Sequence, residues 1–163
     1  MSITDLKAAY ANSRPPAEVH RAFQFFLAVG ALGVVQEIVT LIFYGVIFGS
    51  AGLGFGYGVG SAIVGLIIYL IILAVLFWIA LQMRAGRNWA RITLTVLGGI
   101  GALFFVIGLI ASLTGFGGLV SSVLGGGYSV YLIISLLIDA ASAALIGYAI
   151  YLMFRPNVNS YFR

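Results

Sequence analysis

Glu37 and Asp139 are the residues whose type and position most invite chemistry. Each interrupts a long apolar stretch, whereas every Lys, Arg and His and the other two carboxylates fall in polar or basic segments. A charge at mid-membrane costs about 2.5–3.5 kcal/mol on insertion scales, so a carboxyl placed there points to a proton or cation site, a helix contact or a partner subunit. Glu37 follows Arg21 by sixteen residues and Asp139 precedes Arg155 by sixteen. At a helical rise of about 1.5 Å per residue, both lie roughly 24 Å from those arginines, past the midplane. Gly30, Gly33, Glu37, Thr40 and Tyr44 recur at three- and four-residue spacing, as do Ser135, Asp139, Ser142 and Ala143. Small residues let helices approach, and hydroxyls can satisfy a carboxyl group. The candidate intramembrane polar site is therefore Glu37, Asp139, Thr40 and Ser142. If helices 1 and 4 are neighbours, the two carboxyls can share a proton, because paired carboxylates in low dielectric resist joint ionisation. Packing or partner contact is preferred over transport, since no basic residue in the apolar region can pair with either group.

A second constellation is Arg84, Arg87, Trp89 and Arg91. Its spacing puts three arginines and an interfacial indole at the start of a helix, which suits an interfacial anchor or an anionic lipid headgroup contact. The Gly-Tyr-Gly within Gly54–Gly60 lacks the Thr-Val and pore helix of a potassium filter. It is not a phosphate loop either, for no Gly-Lys-Ser/Thr follows. His20, Gln24 and Gln82 are edge residues. There is no cysteine and one histidine, which removes thiolate chemistry, cysteine-based metal sites and a bis-histidine haem. No catalytic residue, cofactor or metal ligand is expected, and the chain is read as not being an enzyme.

The elements that must position these residues follow from composition. The chain has 163 residues, 63% of them hydrophobic and 7% charged. Soluble domains carry about 25% charged residues, so a soluble or disordered protein is excluded. A net charge of +4 rests on too few residues to build a nucleic-acid face. There is no charge for 46 residues between Glu37 and Arg84, nor for 47 between Arg91 and Asp139. One span needs about 20 residues, so each run holds a turn. Six glycines in twelve residues from Gly49 to Gly60, and a second glycine cluster from Gly115 to Gly127, place those turns. The cuts predict one transmembrane domain over residues 1–163. It comprises an N-terminal segment, 1–21, and helices near 22–48, 61–83, 91–113 and 129–154. The fold class is an all-α membrane four-helix bundle of two helical hairpins.

All eight Lys and Arg precede helix 1, join helices 2 and 3, or follow helix 4. The positive-inside rule then places both termini in the cytoplasm. Residues 1–20 have no apolar h-region and do not read as a signal peptide. Ile3, Leu6 and Tyr10 predict a short interfacial helix, and Ser13 an N-cap ahead of Pro15 and Pro16. The shared Tyr-Leu-Ile-Ile at Tyr69 and Tyr131 is too common a tetrad to define a repeat.

Pro15-Pro-Ala-Glu-Val, Ala85-Gly-Arg-Asn-Trp-Ala-Arg-Ile with Thr95-Val-Leu-Gly, and Arg155-Pro-Asn-Val-Asn-Ser-Tyr-Phe-Arg together resemble a group of small four-span membrane proteins of actinobacteria. That resemblance implies this fold and topology and a bacterial plasma membrane, and it brings no established activity. The functional expectation is a non-catalytic accessory or scaffolding subunit of a larger membrane complex, respiratory or envelope-building. Its expected partners are membrane lipids and other integral membrane subunits, with no nucleic acid. The alternatives are a small proton- or ion-coupled transporter using Glu37 and Asp139, and an anionic-lipid-binding module.

Overall fold

The computed structural model describes residues 15–50, 55–114, 122 and 126–162. Four long helices follow in order: α1 (Ala17–Ser50), α2 (Phe55–Arg84), α3 (Asn88–Leu113) and α4 (Gly126–Met153), then a short 3-10 segment, Pro156–Tyr161. All four are long and apolar enough to cross a membrane. They pack as a bundle with no strand among the described residues. The expected interfacial helix at Ile3, Leu6 and Tyr10 and the cap at Ser13 lie outside the described residues. So do residues 51–54 and most of the turn after Gly115.

All four helices start before the sequence boundaries, and the largest shift is in α2, which includes Gly56, Gly58 and Gly60. Glycine costs a helix about 1 kcal/mol relative to alanine in water. An apolar setting reverses that balance, because a backbone N–H or C=O without a helical partner costs several kcal/mol there. At the other end α2 stops sharply. Gly86 takes a positive φ of 82°. Its N–H donates to the Met83 carbonyl at 2.9 Å, and the Arg87 N–H to the Gln82 carbonyl at 3.2 Å. These paired bonds form a Schellman cap, which needs a left-handed residue and therefore favours glycine.

Around the bundle the order is α1, α2, α3, α4. Helix α1 packs extensively on both α2 and α4, whereas α3 touches its two neighbours more sparsely. The α1–α2 seam is close because Gly30 and Gly33 face Tyr69 and Leu73. The Tyr69 hydroxyl occupies the space that a side chain at Gly33 would need and donates to the Gly30 carbonyl at 3.0 Å. The buried core lies at the basic end: Val19, Met83, Leu152, Met153 and Val158 are its largest fully buried side chains. Val158 belongs to the 3-10 segment, so the residues after α4 fold back and complete this core.

Candidate functional site

The α1–α4 seam carries a polar network at mid-helix. Gln36 Nε2 donates to Ser135 Oγ at 2.9 Å. The Thr40 hydroxyl donates to the Gln36 carbonyl at 2.9 Å, which leaves the Tyr131 hydroxyl, 3.3 Å away, to donate to Thr40. Phe43 stacks on Tyr131 with centroids 4.3 Å apart. Gln36 Oε1 is buried with no hydrogen-bond partner. Helices α1 and α4 are thus neighbours, but the polar contact between them is made by Gln36 and Ser135 rather than by the carboxyls.

The reason lies in helical geometry. Residues 30, 33 and 37 form one edge of α1 and face α2. Residues 36, 40 and 43 form another edge and face α4. The spacing Gly30, Gly33, Glu37, Thr40 reads as one stripe, but it straddles two neighbours. Glu37 is half-buried. A Cβ on Gly65 of α2 would stand 3.9 Å from its Oε2, so it is set against a small residue there. Asp139 is exposed. It lies on the wall of a groove of about 370 Å³ between α3 and α4, together with Gly101, Phe104, Gly108 and Tyr131. Among the described residues no hydrogen bond joins Glu37 to Asp139. Ser142 is half-buried on α4 and takes no part in the Gln36 network. Of the four residues in the candidate polar site, only Thr40 is in that network. Gln36 and Tyr131, which complete it, carry no charge and stand out only once the seam is known.

The α3–α4 groove exists because the two helices part. A Cβ on Gly98 would meet Ile146 Cγ2 at 2.7 Å, so the helices touch there. Gly101 and Gly108, one and three turns further on, have nothing within 4 Å of a built Cβ. These glycines lie on a helix face left open among the described residues.

At the basic end the linker and the C-terminal segment form one unit. The Tyr161 hydroxyl donates to the Arg84 carbonyl at 2.6 Å, and a side chain at Gly86 would press on the Tyr161 carbonyl at 2.9 Å. Arg91 turns inward. Its Nη1 donates to Asn159 Oδ1 at 2.9 Å, and its guanidinium lies 4.6 Å from the ring centroids of both Phe154 and Phe162. Asn157 donates to Glu18 Oε1 at 2.8 Å, tying the segment to α1. Partial burial lifts the Tyr161 phenol above its ordinary value near 10, against the opposing charge of Arg84. Within the arginine constellation the roles therefore separate. Arg91 is a structural clamp, Trp89 lies 5.8 Å from Trp78 across α2 and α3, and Arg84 and Arg87 remain exposed. Arg84 rests over the Phe23 ring at 5.3 Å.

No group of three or more His, Cys, Asp or Glu that could hold a metal ion occurs among the described residues. Compared with known proteins, the chain matches no family model, no curated protein and no solved structure.

Proposed function

We propose that this chain is a non-catalytic accessory or scaffolding subunit of a larger assembly in a bacterial plasma membrane. The observation that carries the proposal is Asp139. It stands at mid-helix on the open wall between α3 and α4, with no hydrogen-bond partner among the described residues. In hydrocarbon such a group lacks the donors that its oxygens require. A transmembrane helix of another subunit seated in the groove would supply a hydroxyl, amide or basic donor. Gly101 and Gly108 support the same reading, because open glycines weaken a free helix and admit the close approach of a second one.

Purification in mild detergent followed by mass spectrometry of the accompanying chains tests this. A stoichiometric membrane companion is expected, retained by Asp139→Asn, which keeps the shape and most hydrogen bonds, and lost with Asp139→Leu or Gly108→Leu. A monodisperse monomer or homo-oligomer without a companion overturns the reading. Proton flux in proteoliposomes that vanishes with Glu37→Gln or Asp139→Asn would replace it with a transporter.

A further inference from the structure

On the opposite side of the bundle an apolar cavity of about 550 Å³ runs between α1 and α2 toward the interior, where Leu94 and Ile146 close it. Exposed Leu27 and Ala31 of α1 and Leu70 and Ala74 of α2 rim it. The cavity thus opens sideways, where hydrocarbon surrounds a membrane helix. Its lining on α2 extends from Tyr69 to Ala80. At about 1.5 Å per residue that is roughly 16 Å, about half of a 30 Å hydrocarbon core, or the depth of one leaflet. It occupies the half nearer the basic end.

Directly beyond that end, the same helix faces change character. On α2 the stripe through Leu70, Ala74 and Phe77 arrives, seven residues on, at Arg84. On α1 the stripe through Ala31 and Leu27 arrives at Gln24 and His20. All three polar residues are exposed, and Arg84 makes no salt bridge among the described residues. Its guanidinium leans across the seam onto Phe23 of α1.

We infer that this cleft holds one acyl chain of an anionic phospholipid from the leaflet at the basic end, with the lipid phosphate against Arg84 and the polar groups of Gln24 and His20 beside it. The two parts of the site impose different selection. The cavity accepts a saturated or singly unsaturated chain by apolar contact. The arginine distinguishes an anionic headgroup from a zwitterionic one, since a basic residue at the membrane surface attracts the first and gains little from the second. Small residues at the rim keep the entrance open. The site uses neither Asp139 nor the α3–α4 groove, so it stands or falls separately from the accessory-subunit reading.

Native mass spectrometry of the detergent-purified protein, titrated with phosphatidylglycerol or phosphatidylcholine, tests the inference. Wild type is expected to retain one phosphatidylglycerol in preference to phosphatidylcholine. Arg84→Gln should lower that preference about fivefold, the effect of one surface basic residue, and leave phosphatidylcholine binding unchanged. Ala31→Phe and Ala74→Phe, each made alone, should obstruct the entrance and reduce binding of both lipids. These two variants sit on different helices, and gel filtration with circular dichroism identifies which is folded. Equal retention of the two lipids by wild type overturns the headgroup assignment. Undiminished binding by a folded entrance variant overturns the chain assignment and marks the lipid as annular. Glycerol phosphate, a headgroup without a chain, is expected not to compete; competition would overturn the dependence on the chain.

Discussion

At the basic end of the bundle, Val19, Met83, Leu152, Met153 and Val158 are fully buried. From Gly98 outward, by contrast, no residue described in α3 is buried, and none in α4 before Ala149. The same helices supply both regions, so helix propensity is not what differs. The basic end has closing elements of its own: a Schellman turn at Gly86, the clamp at Arg91 in the first turn of α3, and a C-terminal segment that brings Val158 and Phe162 into the core. Among the described residues the far half has only side-by-side helices. In lipid, apolar surface gives little drive for helices to close on one another, because hydrocarbon is as good a neighbour as leucine. Association then depends on close backbone approach and hydrogen bonds. The α1–α2 and α1–α4 seams have both, at Gly30, Gly33 and Tyr69 and at Gln36 and Ser135. Among the described residues the outer stretch of α3 has neither.

The contrast can be broken most directly by truncation on each side of it. Met83→Ala should lose about 2–5 kcal/mol of stability in detergent denaturation, as expected for a fully buried methionine, whereas exposed Leu103→Ala should change it by no more than about 0.5 kcal/mol. Equal losses would mean that the far half is packed after all.

Glycine substitutions sharpen the comparison because their signs should differ. Gly33→Ala must displace Tyr69 from the α1–α2 seam and should cost about 1–3 kcal/mol by overpacking. Gly101→Ala meets no neighbour and should raise the stability of the isolated protein by up to about 1 kcal/mol. A destabilised Gly101→Ala would show that α3 is held against something in the isolated chain.

A smaller effect is expected at the clamp. Arg91→Lys keeps the charge but loses the planar stacking between Phe154 and Phe162, and should cost about 1–2 kcal/mol. Arg87→Lys, exposed on the same linker, serves as the control and should be silent in the same thermal melts.

The smallest effect is a pH dependence. Burial raises the Tyr161 phenol above its ordinary value near 10. A raised folded-state value favours the neutral form, so this contribution is fully present below pH about 10 and fades as the pH climbs through the folded value. Ionisation also removes the proton donated to the Arg84 carbonyl. Wild type should therefore lose more stability than Tyr161→Phe between about pH 9.5 and 11.5, a window around the ordinary tyrosine value of roughly 10. Parallel curves would remove Tyr161 from the closing contacts.

The sequence is explicit about whatever depends on bulk transfer from water. Charge-free runs and glycine clusters place four helices, and the clustered Lys and Arg put their basic ends together. It is less explicit where a contact depends on rotation about a helix axis. Glu37 and Thr40 are three residues apart and look like neighbours on one stripe, yet they face different helices. Gln36, adjacent to Glu37 and uncharged, joins Thr40 in the hydrogen bonds that cross to α4. The linker arginines show the same limit. Their spacing suits a lipid headgroup, but nothing local indicates that Arg91 turns beneath Phe162, because that contact is made 71 residues away along the chain. Asp139 also depends on a tertiary feature, the divergence of α3 from α4, which no periodicity within either helix records.

Because Val158, Asn159, Tyr161 and Phe162 follow α4, the ribosome produces them after every helix of the bundle. The closing contacts that these residues make at the basic end are consequently available only after all four helices have been made. Until then the two hairpins lack the contacts that residues 158–162 add at that end. Closure thus waits for synthesis of residues 158–162, and a fusion placed directly after Phe162 would act on the latch itself.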